Sequence, residues 1–313
     1  MREISVLFLA VPLLLGYSTE RRPLTQSAAS AAESEAFFPP PTELQSNELT
    51  RLDTLLRGSI TNLNLSWVAD TGIVAVPACL REASDNTLSV EARDLILIVL
   101  GNALKKAGFR EHPSARNHLV VPVLLQALDD KEPRVQRSAA FAARFVDDVR
   151  LVLPLRSLLG GPDFVQEQAV LALGTSGRET EVLPITKLFF ETPSGKFRYS
   201  CLYSLATMCL LHDVDVASVL QQNAGGFGEK NQPNVESVRR RFVEFKAIVS
   251  LVRKLSSSVA SQRREADEKL RYLTGKQVEF NPAGDETARA RGIEEWRNYF
   301  LKDYWLVPPP SKS

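Results

Sequence analysis

Proline recurs along the middle of this 313-residue chain at a nearly fixed interval. Pro122, Pro154 and Pro184 are 32 and 30 residues apart. Each follows branched apolar residues: Val120-Val121, Leu151-Val152-Leu153 and Val182-Leu183. A second series, Pro133, Pro162 and Pro193, has spacings of 29 and 31 and sits in polar breakers such as Asp129-Asp130-Lys131-Glu132 and Gly160-Gly161. Small residues keep the same interval, with Ala139, Ala169 and Cys201 in one position and Ala142, Ala172 and Ser204 in another. A period of about 30 residues marks one supersecondary unit used repeatedly.

Within a unit, apolar residues recur every three or four positions. Val135, Ala139, Ala142 and Val146 form one stripe, and Val165, Ala169, Ala172 and Leu173 another. That spacing is helical, and no stretch alternates cleanly enough to be a sheet strand. The unit therefore reads as helix A, a turn, helix B and a link. A single helix pair cannot bury its apolar stripe, whereas stacked pairs bury a continuous seam. Small residues in helix B let neighbours approach closely. Proline is tolerated in the first turn of helix A and kinks it if placed deeper.

The stretches Leu119–Leu128 with Arg134–Ala142, Val152–Leu159 with Pro162–Gly174, and Val182–Leu188 resemble HEAT repeats most clearly over 117–210. The resemblance implies an all-α fold, a right-handed α-α superhelix of the HEAT solenoid type within the armadillo-like class. It also implies a concave surface lined by B helices that holds a protein or peptide partner. Arg134, Arg137, Arg144 and Glu167 would then be partner-binding residues on exposed B-helix faces. The chain departs from the family at Gln136 and Gln166, where Arg often follows the helix-B valine, so an Asp–Arg ladder between repeats is not expected. Degenerate repeats extend the region to 47–255: a capping helix over Leu44–Leu56, a pair with helix A starting at Val76 and helix B at Ser89, then a further pair, Val216–Gln222 and Val235–Leu255. Residues 256–305 are similar to the tail that closes exported bacterial HEAT-repeat proteins. Leu273-Thr274-Gly275 precedes a helix with Trp296, and a helical C-terminal cap anchored by Trp296 and Phe300 is implied. Pro308-Pro309-Pro310 leaves 306–313 as a disordered tail.

The N-terminus has a different character. Ile4 to Leu15 is an apolar run interrupted by Ser5 and Pro12. It falls short of the roughly 20 residues that span a bilayer and has the length of a signal-peptide core. Gly16 and Ser18 place small residues for cleavage after Ser18, so 1–18 reads as a signal peptide of an exported bacterial protein. Leu13-Leu14-Leu15-Gly16 begins like a lipoprotein box, but Tyr17 stands where the lipid-bearing Cys belongs. Membrane association is therefore expected only through an uncleaved N-terminal segment. Residues 19–46, rich in Ser, Ala and Pro, read as a disordered linker.

The formal net charge is +1, from 38 basic and 37 acidic residues, which excludes a wholesale nucleic-acid binder. The balance is uneven: residues 229–276 hold 12 basic and six acidic residues. This stretch, with Arg239, Arg240 and Arg241 at its centre, is either a solvated helix face or the seat of an anionic partner. Val238, Phe242, Phe245, Val249 and Val252 already supply a buried stripe, which favours the former.

Chemistry-bearing residues are sparse. The three histidines, His112, His118 and His212, form no metal-ligand pattern. Gly174-Thr175-Ser176-Gly177-Arg178 lacks the second glycine of a nucleophile elbow and reads as a helix stop. Gly225-Gly226-Phe227-Gly228-Glu229-Lys230 lacks the strand and Gly-Lys-Ser/Thr of a phosphate loop. Cys201 and Cys209, eight apart on one helix, are about 12 Å apart and too distant to bridge. The chain thus reads as a non-enzymatic protein-interaction scaffold of the cell envelope, with no cofactor or metal. A lyase-like or cofactor-handling HEAT-repeat protein and an envelope spacer are the alternatives.

Overall fold

A computed structural model describes residues 75–85, 87–106 and 117–302, together with Asn47 and Thr50. Residues 1–18 and 19–46, expected to be a signal peptide and a linker, most of the expected helix at 44–56, and the residues beyond 302 lie outside the described residues. Among the described residues there are twelve α-helices and no strand. They are α1 (Val76–Ala83), α2 (Val90–Lys106), α3 (Asn117–Leu128), α4 (Pro133–Ala143), α5 (Val152–Ser157) and α6 (Asp163–Ser176). Then follow α7 (Val182–Glu191), α8 (Gly195–His212), α9 (Val216–Gln222), α10 (Gln232–Lys254), α11 (Ala260–Thr274) and α12 (Glu286–Lys302).

Helices adjacent in sequence pack as pairs: α1 with α2, α3 with α4, α5 with α6, α7 with α8, and α9 with α10. The second helix of each pair also packs on the second helix of the next, so α2, α4, α6, α8 and α10 form one continuous row. The first helices make a looser row, with α1 on α3, α3 on α5 and α7 on α9. The small positions sit where the row is tightest. Ala139, Ala142, Ala169, Ala172, Cys201 and Ser204 are all buried. A Cβ on Gly174 of α6 would lie 2.9 Å from Ser204 Cα of α8, and one on Gly101 of α2 would lie 2.6 Å from the Phe141 ring of α4. Glycine is required there by the close approach, not by its backbone freedom.

The proline series fixes how the first helices begin. Pro154 and Pro184 each follow a single 3-10 turn, Val149–Leu151 and Glu179–Glu181. In that turn the amides of Val152 and Val182 bond three residues back, to Val149 and Glu179. Pro154 and Pro184 are then the third residues of α5 and α7, in the first turn, where an N–H has no partner within the α-helix and its absence costs little. Pro122 occupies the same offset but lies inside continuous α3. Pro133 begins α4, and Pro162 caps α6 with extended backbone. Both positions suit a residue with fixed φ and no N–H.

Acid–arginine pairs between units are present, contrary to expectation, though not at the glutamine positions. Arg137 of α4 reaches Asp94 of α2 at 3.2 Å, Arg93 pairs with Asp130, Arg178 with Asp147 at 3.1 Å, and Arg156 with buried Glu181. Gln136 and Gln166 instead donate to Asp130 O and Leu159 O, at 2.7 and 2.8 Å, in the turn just before their own helix.

A polar row also joins the C-terminal ends of the second helices. Thr175 and Ser176 hydroxyls at the end of α6 donate to Arg144 O and Val146 O, at 2.9 and 2.8 Å, past the end of α4. His212 at the end of α8 donates through Nε2 to Thr175 O at 2.5 Å. Arg253 near the end of α10 donates to Cys209 O of α8 at 3.3 Å. The last carbonyls of a helix have no partner within it, and here the following unit supplies one.

Beyond α10, Gly275 (φ 66°) ends α11 in the left-handed conformation. α11 packs on α10, and α12 packs on both α8 and α10. Trp296 and Phe300 of α12 are fully buried and stacked, with centroids 5.7 Å apart. The Trp296 indole N–H donates to buried Asp267 at 3.0 Å, and Arg271 bonds the other Asp267 oxygen at 2.7 Å. Tyr199 of α8 donates to Leu301 O at 3.2 Å.

Candidate functional site

Three of the four residues expected to be exposed on helices α4 and α6 are instead engaged between helices. Arg137 is held by Asp94 and Ser138. Arg144 lies over the rings of Phe141 and Phe145, at 5.8 and 5.9 Å, and donates to Gln168 of α6 at 3.3 Å. Glu167 accepts from Lys196 and Ser200 of α8, at 3.0 and 3.2 Å. These side chains are struts of the helix row, and their half-burial follows from the neighbour that fills the adjacent space. Arg134 is exposed.

The basic segment has a different geometry. α10 buries Val235, Val238, Phe242, Phe245, Ile248, Val249 and Val252. Its exposed side carries Arg239, Val243, Lys246, Ser250 and Arg253 at alternating spacings of four and three, with Arg240, Glu244 and Lys254 alongside, and Ser257 follows just past its end. Such spacing puts the stripe from Arg239 to Arg253 on one face of a helix. Val243 is 48% exposed within this face. Arg239 forms a two-bond pair with Glu236, both contacts 2.6 Å, while Arg240 is exposed and Arg241 half-buried.

The lower half of the face borders an open cleft of about 510 Å³, lined by Asp213, Lys246, Val249, Ser250, Arg253, Lys254 and Ser257. The turn from α8 to α9 forms its far wall. Asp213 stands there with φ 60°, the left-handed position that ends α8, and its N–H bonds Met208 O. Asp is among the residues that tolerate this conformation. Its carboxylate pairs with Arg253. Asp215 caps α9 by accepting from Ser218 N and binds Lys246 at 2.5 Å. The Lys246 hydrogen bond holds the Asp215 carboxyl below its ordinary range, and Asp215 in turn raises the Lys246 ammonium. The wall and the helix therefore form a lining of mixed sign with a net excess of cations.

His118 is exposed on α3, and His112 lies outside the described residues. His212 is nearly buried, 3.7 Å from Asp147, and its pKa is lowered, chiefly by desolvation. Thr175 and Ser176, within the stretch that reads as a helix stop, serve the polar row. Cys79, Cys201 and Cys209 are buried and unpaired in disulfides. Charge clustering marks the basic face in the sequence. Asp213, Ser250 and Ser257 escape that signal, though the four-three stripe from Arg239 to Arg253 contains Ser250.

No family model matches the chain, and a search of curated proteins gives no significant match.

Proposed function

We propose that this chain is a non-enzymatic protein-binding scaffold, built as a HEAT-like right-handed superhelix and exported to the bacterial cell envelope. The observation that carries the reading is the unbroken row of second helices, each packed on the next. A row of that kind offers a long surface made by several units at once, the form in which stacked helix pairs hold extended partners. The sequence interval of about 30 residues supports the repeat assignment. The apolar run Ile4–Leu15 supports export.

The test is retention of a partner from envelope extract by the immobilised full chain, with folding checked by circular dichroism. A specific protein retained by the wild-type chain, and lost or weakened with Arg134→Glu, supports the reading. Failure of the folded chain to retain any protein sinks it. Fractionation of cells expressing the intact and the 1–18-deleted chain tests location; a cytoplasmic intact chain contradicts export.

A further inference from the structure

We propose that the exposed face of α10 with its adjoining cleft is the docking site for an extended acidic peptide segment of the partner, with carboxylates on alternate residues. The inference rests on the scaffold reading and names the chemistry of the partner it would hold.

Spacing selects an extended chain. Lys246 and Lys254 are eight residues apart on one helix, about 12 Å along its axis. In an extended peptide, residues i and i+4 point the same way about 13 Å apart. Carboxylates at i and i+4 therefore reach Lys246 at one end and the Arg253–Lys254 pair at the other. The residue at i+2 lies between them, over the exposed Ser250 hydroxyl. A lone phosphate, whose oxygens are about 2.5 Å apart, meets one end only (charged hydrogen bonds reach only about 2.7–2.9 Å).

Charge selects the sign, and the wall selects a peptide over other polyanions. The cleft lining holds Lys246, Arg253 and Lys254 against Asp213, with Asp215 bonded to Lys246 just beside it. Both paired cations already take a carboxylate in the folded chain, Arg253 from Asp213 and Lys246 from Asp215. A peptide carboxylate would bond the N–H donors that these two side chains have left, since a guanidinium has five and an ammonium three. An extended peptide also presents backbone N–H donors, which the carboxylates of the wall accept. The phosphodiester groups of a lipid surface or a nucleic acid carry no N–H to offer these carboxylates. Above the cleft, exposed Val243 lies between Arg239 and Arg240 on one side and Lys246 on the other. An apolar residue flanking the acidic run would cover it.

The experiment is fluorescence anisotropy on the full chain with a labelled 12-residue Glu-Ser alternating peptide ending in Leu, and its Gln-Ser twin. Vesicles of phosphatidylglycerol and a 20-nucleotide oligo-dT are the competing probes. The Glu peptide is expected to bind at least tenfold more tightly than the Gln twin. Lys246→Glu with Lys254→Glu is expected to lose at least tenfold, and Lys131→Glu, at an exposed position in the turn before α4, to leave binding unchanged. Arg240→Glu with Lys254→Glu, which breaks no ion pair described above, is the second variant should the first fail to fold by circular dichroism. Equal binding of the two peptides, unchanged affinity in a folded variant, or preference for vesicles or oligonucleotide overturns the proposal. An envelope partner that is retained equally by the Lys254→Glu variant and the wild-type chain overturns this inference and leaves the scaffold reading standing.

Discussion

Burial pushes the thiols of Cys79, Cys201 and Cys209 up to about 12, with desolvation the leading cause at each. A thiol held protonated in a closed apolar site is a poor nucleophile. None of the three is expected to react with a thiol reagent at pH 8 in the folded chain, and all three to react in urea; fast modification of the native chain would contradict the burial. His212 titrates with the opposite consequence. Its folded pKa lies below the ordinary 6.5, so the unfolded chain binds a proton that the folded chain refuses. Its contribution is intact above pH 6.5 and declines as pH falls towards the lowered value, with Asp147 and Arg178 the charged groups beside it. His212→Gln keeps a side-chain N–H for Thr175 O and is expected to flatten this part of the stability–pH curve. Urea melts between pH 7 and pH 5 measure it, and identical slopes in both proteins would assign the titration elsewhere. Little of this is legible in the sequence. Helical period places Arg137, Arg144 and Glu167 away from the seam, but the residues that cover them come from the neighbouring unit.

At the scale of the element, α6 and α8 touch through Gly174. Its added Cβ would lie 2.9 Å from Ser204 Cα and 3.0 Å from Ser204 O, both backbone atoms. Gly174→Ala is expected to cost about 1–3 kcal/mol, as overpacking does. Gly195→Ala at the start of α8, where a Cβ meets nothing within 4 Å, is the control and is expected to stabilise by about 0.4–1 kcal/mol through the unfolded chain. Urea unfolding of both variants checks the pair, and equal stabilities would contradict the close approach. This contact could be anticipated, because Ala142, Ala172 and Ser204 repeat in step with the prolines. The prolines themselves announced where the first helices begin, but not that two of the three entries are 3-10 turns. Three-residue and four-residue winding bury the same apolar positions over a single turn, so the pattern does not separate them.

For the whole molecule, the contacts just described run mainly between neighbouring units, and a local loss should spread no further than its neighbours. Trp296→Ala removes a fully buried ring and leaves Asp267 without its indole donor. The expected cost is about 3–5 kcal/mol. Hydrogen exchange should show the loss of protection in α8, α10, α11 and α12, with α2 and α4 unchanged; uniform loss along the chain would mean a single cooperative core. Between successive second helices, the polar row runs in one direction. Thr175 and Ser176 serve α4, His212 serves α6, and Arg253 serves α8, so each donor comes later in the sequence than the carbonyl it satisfies. During synthesis every one of these helix ends leaves the ribosome before its partner does. The row is thus completed in the order of translation, and each unit finishes the one made before it.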